Sequence, residues 1–328
     1  MYQHLLNAIG NTPLVRVPFH SPATLYAKLE YLNPGGSVKD RTALYMIEQA
    51  EKTGNLLPGG TIIDASSGNY GITLAMIGAA KGYKVIITTT PKISQEKLQT
   101  IQAYGAEVLV CPSLPIHDPN SHHATACKLQ KETPNSFMPN QYFNPMNAEA
   151  HYTLTGPEIW QQTNGTITHF FAAAGSGGTI VGIGKYLKEK NPAIKVIALD
   201  AKNSMHSTHG NPQPYKVEGM GIDFYSEIID YNNNTIIDEI IPVSDEDAFE
   251  MLNSLARNHG LLPGLTSGAV AWGVHHYLPN LKENDVAVMI FGDSGRSYLS
   301  KNVFKATTVN PSATILQGNP TYKEQELK

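Results

Sequence analysis

Short runs of consecutive apolar residues alternate along this chain with stretches whose apolar positions recur at helical spacing. That alternation is the signature of a mostly parallel α/β sheet. Strands are predicted at 61–64, 84–88 and 107–110, with helices at 72–80 and 96–103 between them. A second series places strands at 168–171, 194–199 and 285–290, with a helix at 180–187. Between the two series, 111–147 is richer in Pro, Asn and His, and reads as loops and a crossing between two sheet-containing halves. From 307 to 328 the chain reads as a polar, loosely held tail, and no internal repeat is visible.

Composition narrows the class without naming a chemistry. The 328 residues are 41% hydrophobic and 16% charged, with a net charge of −4. This length buries a large core in two domains or one large one. With no long basic run, nothing favours a nucleic acid or a membrane surface as partner. The two cysteines, Cys111 and Cys127, lack metal-ligand spacing and read as reduced thiols. His122 and His123 read as surface residues. The Met1-Tyr2-Gln3-His4 start has no basic-then-apolar signal, and no apolar run reaches membrane-spanning length. The expectation is a soluble, cytoplasmic protein.

Candidate chemistry sits in four loops. Asn33-Pro34-Gly35-Gly36-Ser37-Val38-Lys39-Asp40-Arg41 places one lysine just past two glycines. Lys39 is either an exposed cation or an amine held to form a Schiff base with a carbonyl cofactor. Gly175-Ser176-Gly177-Gly178-Thr179 follows a strand and opens a helix. Its backbone N–H groups could hold a phosphate, or its glycines could serve a tight turn. A dinucleotide fits less well, although Asp200 ends the next strand, because Ile180 stands where G-x-G-x-x-G needs its third glycine. Ser66-Ser67-Gly68-Asn69-Tyr70-Gly71 would suit a carboxylate at a helix start, or simply cap that helix. Gly292-Asp293-Ser294-Gly295 superficially resembles a protease nucleophile loop, but the α/β alternation argues against that fold. A strand-end serine pointing into a ligand crevice fits better.

Together these loops resemble the fold-type II pyridoxal-phosphate enzymes, in the cysteine synthase and cystathionine β-synthase branch. The resemblance runs from Gly10-Asn11-Thr12-Pro13-Leu14-Val15 to about Lys301, in the family's order. It implies a tryptophan synthase β-like fold: two doubly wound, mostly parallel sheet domains with the cofactor in the cleft between them. The smaller, substrate-gripping domain would span 42–147, and the larger, cofactor-holding one 1–41 and 148–306. The resemblance also implies that Lys39 carries pyridoxal 5′-phosphate, that Asn69 contacts its 3′ oxygen, and that Gly175, Ser176, Gly177, Gly178 and Thr179 hold its phosphate. Ser294 would contact the ring nitrogen. A neutral hydroxyl there cannot hold that nitrogen protonated as a carboxylate would, which matches β-elimination and replacement rather than transamination.

Lys39, once displaced, would remove the α-proton of an amino acid bearing a β leaving group, and a thiol would then add. Ser66, Ser67, Asn69 and Gln141, with Tyr142 and Gly219, are the substrate-binding candidates. Asn140-Gln141-Tyr142, Ala150-His151-Tyr152, the segment 215–224 and Asp293-Ser294-Gly295-Arg296-Ser297-Tyr298-Leu299 look more like a cystathionine β-synthase. The implied reaction condenses L-serine with homocysteine to cystathionine and water; an O-acetylserine sulfhydrylase is the alternative. Hydroxide is a poor leaving group, so the first reaction needs an acid near the β-oxygen, and protonated Lys39 is the candidate. Two departures stand out. Ser66 and Tyr70 replace the threonines of T-S-G-N-T-G, and Tyr70 adds bulk that could alter substrate choice. Ile222 replaces the tyrosine of eukaryotic synthases. The chain starts and stops at the catalytic core, so neither haem nor adenosylmethionine control is expected, and a homodimer is implied.

Overall fold

The computed structural model describes residues 2–229 and 235–304; the polar segment 307–328 lies outside them. The first sheet residues are β1 (Leu14–Arg16) and β2 (Thr24–Leu29), followed by helix α1 (Lys39–Lys52). Next come β3 (Thr61–Ala65), α2 (Asn69–Lys81), β4 (Lys84–Thr89), α3 (Gln95–Ala103), β5 (Glu107–Val110), α4 (His122–Glu132) and β6 (Ser136–Phe137). Helix α5 (Met146–Ala150) runs through a π-helical turn (His151–Thr155) into α6 (Gly156–Gln162). The chain closes with β7 (His169–Ala173), α7 (Gly178–Lys190), β8 (Lys195–Ala201), β9 (Glu239–Val243), α8 (Asp245–His259), α9 (Leu265–Tyr277) and β10 (Val286–Phe291).

These strands make two sheets. One has the order β1-β2-β10-β7-β8-β9 and is parallel except for the β1–β2 pair; the other, β5-β4-β3-β6, is wholly parallel. Both series of strands read from the sequence are present. Each sheet is covered on both faces, as strand alternation requires. In the larger sheet Phe171, Ile197 and Met289 pack with Leu252, Ala269 and Val274 of α8 and α9. Their neighbours Phe170, Val196 and Val288 turn the other way, onto Ile159, Ile180 and Ile183 of α6 and α7. In the smaller sheet Ile62, Val85 and Ile87 meet Met46, Leu74 and Ile101 of α1, α2 and α3. The opposite face carries Ile63 and Ala65, and Ala126 of α4 covers them.

Helix α4 corrects the reading of 111–147 as loops and crossing. Ser121 caps it by accepting the Ala124 N–H, and the buried face of β3 requires such a cover. His122 and His123 occupy its first turn half-buried rather than on the surface, and His122 Nδ1 is buried with no hydrogen-bond partner.

Candidate functional site

The loops singled out in the sequence meet where the C-terminal ends of β3, β7 and β10 face the N-terminus of α1. Crevices at strand C-termini are where open α/β sheets bind ligands. Lys39 is the first residue of α1. The Val38 N–H donates to Gly292 O (2.8 Å) and Ser37 bridges Asp293, which ties the lysine loop to the end of β10.

The two residues after Lys39 hold its helix. Asp40 accepts the Gly35 N–H (2.5 Å) and the Thr73 hydroxyl (2.6 Å), joining the lysine loop to α2. A Cβ at Gly35 would stand 2.5 Å from Asp40 Oδ1, so the loop needs glycine there. Burial pushes the Asp40 carboxyl up to about 7. Arg41 donates to Glu30 (2.7 and 2.8 Å) and to Glu158 (2.8 and 3.0 Å), and Lys28 pairs with the same Glu158. Asp40 and Arg41 thus fasten α1 while Lys39 faces a cavity.

That cavity is lined by Lys39, Asn69, Gly175, Ser176, Gly177, Thr179, Gly219, Thr266, Gly292 and Asp293, among others. Close approach of neighbouring segments shapes it. A Cβ at Gly175 would meet Gly219 O at 2.6 Å, and one at Gly178 would meet Asn147 Oδ1 at 2.1 Å. Gly177 opens α7 at φ +92°, a left-handed conformation that favours glycine. Gly178, the first residue of α7, does not itself line the cavity.

Asn69 opens α2, and its Nδ2 donates to Asp293 Oδ2 (2.7 Å). The Tyr298 hydroxyl donates to the same oxygen, while Asp293 Oδ1 is buried with no partner. Burial raises the Asp293 carboxyl above its ordinary range, against the pull of Lys97, Tyr298 and Asn69. Lys97 reaches this group through the Tyr298 hydroxyl (2.9 Å) and pairs with Glu218 (3.0 Å). Burial lowers the Lys39 amine to about 8, opposed by the Asp293 charge.

The remaining sequence candidates are not part of the cavity lining. Ser66 Oγ accepts the Gly68 and Gly71 N–H groups (3.1 and 2.9 Å), which is the helix-start role weighed for it. Ser67 is exposed and lies near Tyr142, whose phenol burial pushes up to about 12. Tyr142 also meets Phe224 edge-on at 5.6 Å. Gln141 is buried, and its carbonyl accepts from Asn147 Nδ2 (2.8 Å). Ser294 caps the closing turn by accepting the Arg296 N–H (3.3 Å), so its neighbour Asp293 is the side chain that lines the cavity. The sequence reading missed Asp293, although an acid at a strand end was itself a signal. Tyr70 is fully buried with its hydroxyl on Met46 Sδ (3.1 Å), so its bulk goes into the core. No helix among the described residues is long and apolar enough to cross a membrane.

Known proteins resemble this chain over most of its length. The family model described as "Pyridoxal-phosphate dependent enzyme" matches residues 5–293. Cystathionine beta-synthase from Apis mellifera is 44% identical over 309 residues, which is 91% of this chain and 61% of that protein. The chain therefore spans about three fifths of the length of that relative. Cysteine synthase from Staphylococcus aureus (strain Mu50) is 39% identical over 305 residues, covering 92% of this chain and 96% of that protein. Among solved structures, the O-acetylserine dependent cystathionine beta-synthase from Helicobacter pylori superposes with a TM-score of 0.85 at 36% identity, covering 93% of this chain and 99% of that one. The chain belongs to the pyridoxal-phosphate-dependent enzyme family, in the branch that holds cystathionine β-synthases and cysteine synthases.

Proposed function

We propose that this chain catalyses β-replacement on L-serine, condensing it with homocysteine to give cystathionine and water. The observation that carries β-replacement is one cavity that gathers the Lys39 amine, the Asn69 amide and the loop that opens α7. Those residues fit the family's cofactor. The loop is narrowed by glycines at which a Cβ would collide, it presents N–H groups at a helix N-terminus, and the cavity holds one amine of lowered basicity.

Gly175, Ser176, Gly177, Gly178 and Thr179 would hold the phosphate, and Asn69 would face the ring oxygen. The ring nitrogen falls to the turn at 292–294, with Ser294 assigned to it and Asp293 beside it. Pyridoxal phosphate, when bound, supplies the electron sink that stabilises charge at the substrate's α-carbon. Ser66, Ser67, Asn69 and Gln141, with Tyr142 and Gly219, would grip the substrate and fix its carboxylate. Lys39 in its neutral form takes the α-proton, and an amine near 8 is suited to that work at neutral pH. The protonated Lys39 would then give that proton to the β-oxygen, so the hydroxyl leaves as water; the homocysteine sulfur takes its place on the β-carbon, and the thiol's proton passes through the Lys39 amine back to the α-carbon.

Serine with homocysteine is favoured by the segment 215–224, which resembles that of cystathionine β-synthases and contributes Gly219 to the cavity wall. The Helicobacter pylori neighbour supports a second reading, with O-acetylserine as the activated substrate. Supplying the protein with serine and homocysteine, then O-acetylserine and sulfide, separates the two. Cystathionine from the first pair is expected, and turnover of only the second pair would overturn the choice. A homodimer in the cytoplasm belongs to the same reading, and sedimentation tests the first of these.

A further inference from the structure

Behind the loop that opens α7 lie two buried side chains the sequence reading did not assign. Asn147, on α5, donates from Nδ2 to Ser176 Oγ (2.9 Å) as well as to the Gln141 carbonyl. His151, one helical turn later and first in the π-helical turn, has Nε2 3.1 Å from Thr179 Oγ1 and Nδ1 2.8 Å from Thr155 Oγ1. Both side chains are essentially without solvent access. A π-helical turn is an irregularity that often marks a functional position. Helix α7 packs hard against this segment, since a Cβ at Gly182 would lie 2.1 Å from the Ala148 carbonyl oxygen.

We propose that Asn147 and His151 are positioning residues whose N–H groups occupy lone pairs of Ser176 and Thr179, so that both hydroxyl protons are left to donate to a phosphate ester. For Asn147 the orientation is set by Gln141, because a backbone carbonyl only accepts and so must face the amide NH2. For His151 the choice lies between tautomers. Burial, with Lys39 and Arg41 nearby, keeps this imidazole neutral, so only one ring nitrogen carries hydrogen. With hydrogen on Nδ1, the ring would accept the Thr179 proton and take it from the anion. With hydrogen on Nε2, Thr155 donates to Nδ1, His151 donates to Thr179, and Thr179 donates outward. Every polar atom of the chain Thr155–His151–Thr179 is then satisfied once an anion sits on the loop. Hydrogen bonds from oriented hydroxyls to a phosphate dianion are among the stronger kind.

This inference rests on the reading that the 175–179 loop holds the cofactor's phosphate, and its test separates the two. The full chain, freed of cofactor, is titrated with pyridoxal phosphate and with pyridoxal, which lacks the phosphate. His151→Gln keeps an amide N–H near the place of Nε2, whereas His151→Asn places its amide near Nδ1. The expected result is an about tenfold weaker affinity for pyridoxal phosphate in His151→Asn, near-native affinity in His151→Gln, and unchanged pyridoxal affinity in both. Native affinity in both variants, equal losses in both, or a loss that extends to pyridoxal would overturn the inference, the last by showing a general structural role. If His151→Asn does not fold, Thr155→Val tests the same point. It keeps the shape but removes the donor to Nδ1, so a selective loss is expected and native affinity would overturn the proposal. Should the unaltered protein bind pyridoxal phosphate no better than pyridoxal, the phosphate reading itself fails and takes this inference with it.

Discussion

Lys39 and Asp293 line the same cavity, and burial pushes both towards their uncharged forms, the amine to about 8 and the carboxyl above its ordinary range. The carboxylate partly opposes the loss of charge on the amine, so the two are coupled. The rate at which cofactor-free protein captures pyridoxal phosphate should therefore rise with pH and level off with a midpoint near 8, read from the absorbance of the product. Asp293→Asn removes the opposing charge and should move that midpoint down; a midpoint that stayed or rose would break the coupling. Lys39→Ala should lower turnover roughly a hundredfold or more with affinity for the amino acid less affected. Lys39 and Asn69 stood out through the family resemblance of their loops, which glycine and serine punctuation marks in sequence. Asp293 was not, since which of two adjacent strand-end residues enters a crevice depends on the pleat. Here the pleat is set by parallel pairing of β10 with β2 and β7 and by the bridge to Ser37, all distant in sequence.

At the scale of elements, strands buried on both faces were readable because their apolar runs are continuous, as in β8 (Lys195–Ala201) with six of seven residues buried. Helix α4 was hidden because only Ala126 of its eleven residues is buried, leaving little apolar period to detect. The α5, π-turn and α6 run was hidden differently, since an irregular turn breaks helical phase. Its fit against α7 depends on Gly182, whose added Cβ would meet a carbonyl that cannot move aside cheaply. Gly182→Ala should therefore cost roughly 1–3 kcal/mol in denaturant unfolding. It should also weaken pyridoxal phosphate binding, because α7 carries the 175–179 loop at its start. Unfolding free energy that matched the parent protein would show that the two helices part without strain.

For the whole molecule, the smaller sheet and its helices meet the larger one in part through α1, and a buried charge cluster fixes that helix. Lys28 of β2, Glu30 just beyond it, Arg41 of α1 and Glu158 of α6 share their hydrogen bonds within one group, with Thr12 completing it. Burial alone would raise the Glu30 and Glu158 carboxyls, but Arg41 and its companions hold both below their ordinary range. A carboxyl held low binds fewer protons folded than unfolded, so its stabilisation is present above the unfolded value near 4.5 and is lost as pH falls through the folded value. Arg41→Met leaves Glu30 buried without its partner, and should cost about 3–5 kcal/mol at neutral pH. The gap between variant and parent should narrow as pH falls from 7, because the lone Glu30 carboxyl of the variant takes up its proton well before the paired carboxyl of the parent, which is held below its ordinary range. Unfolding curves at pH 7 and pH 4 check this, and a gap independent of pH would assign Arg41 a packing role only. Since Lys39 stands at the start of the same helix, its amine should lose its fixed place in the variant. Pyridoxal phosphate capture at pH 7 should slow in parallel with the loss of stability, whereas an unaffected rate would show that Asp40 and its bonds to Gly35 and Thr73 hold the lysine unaided.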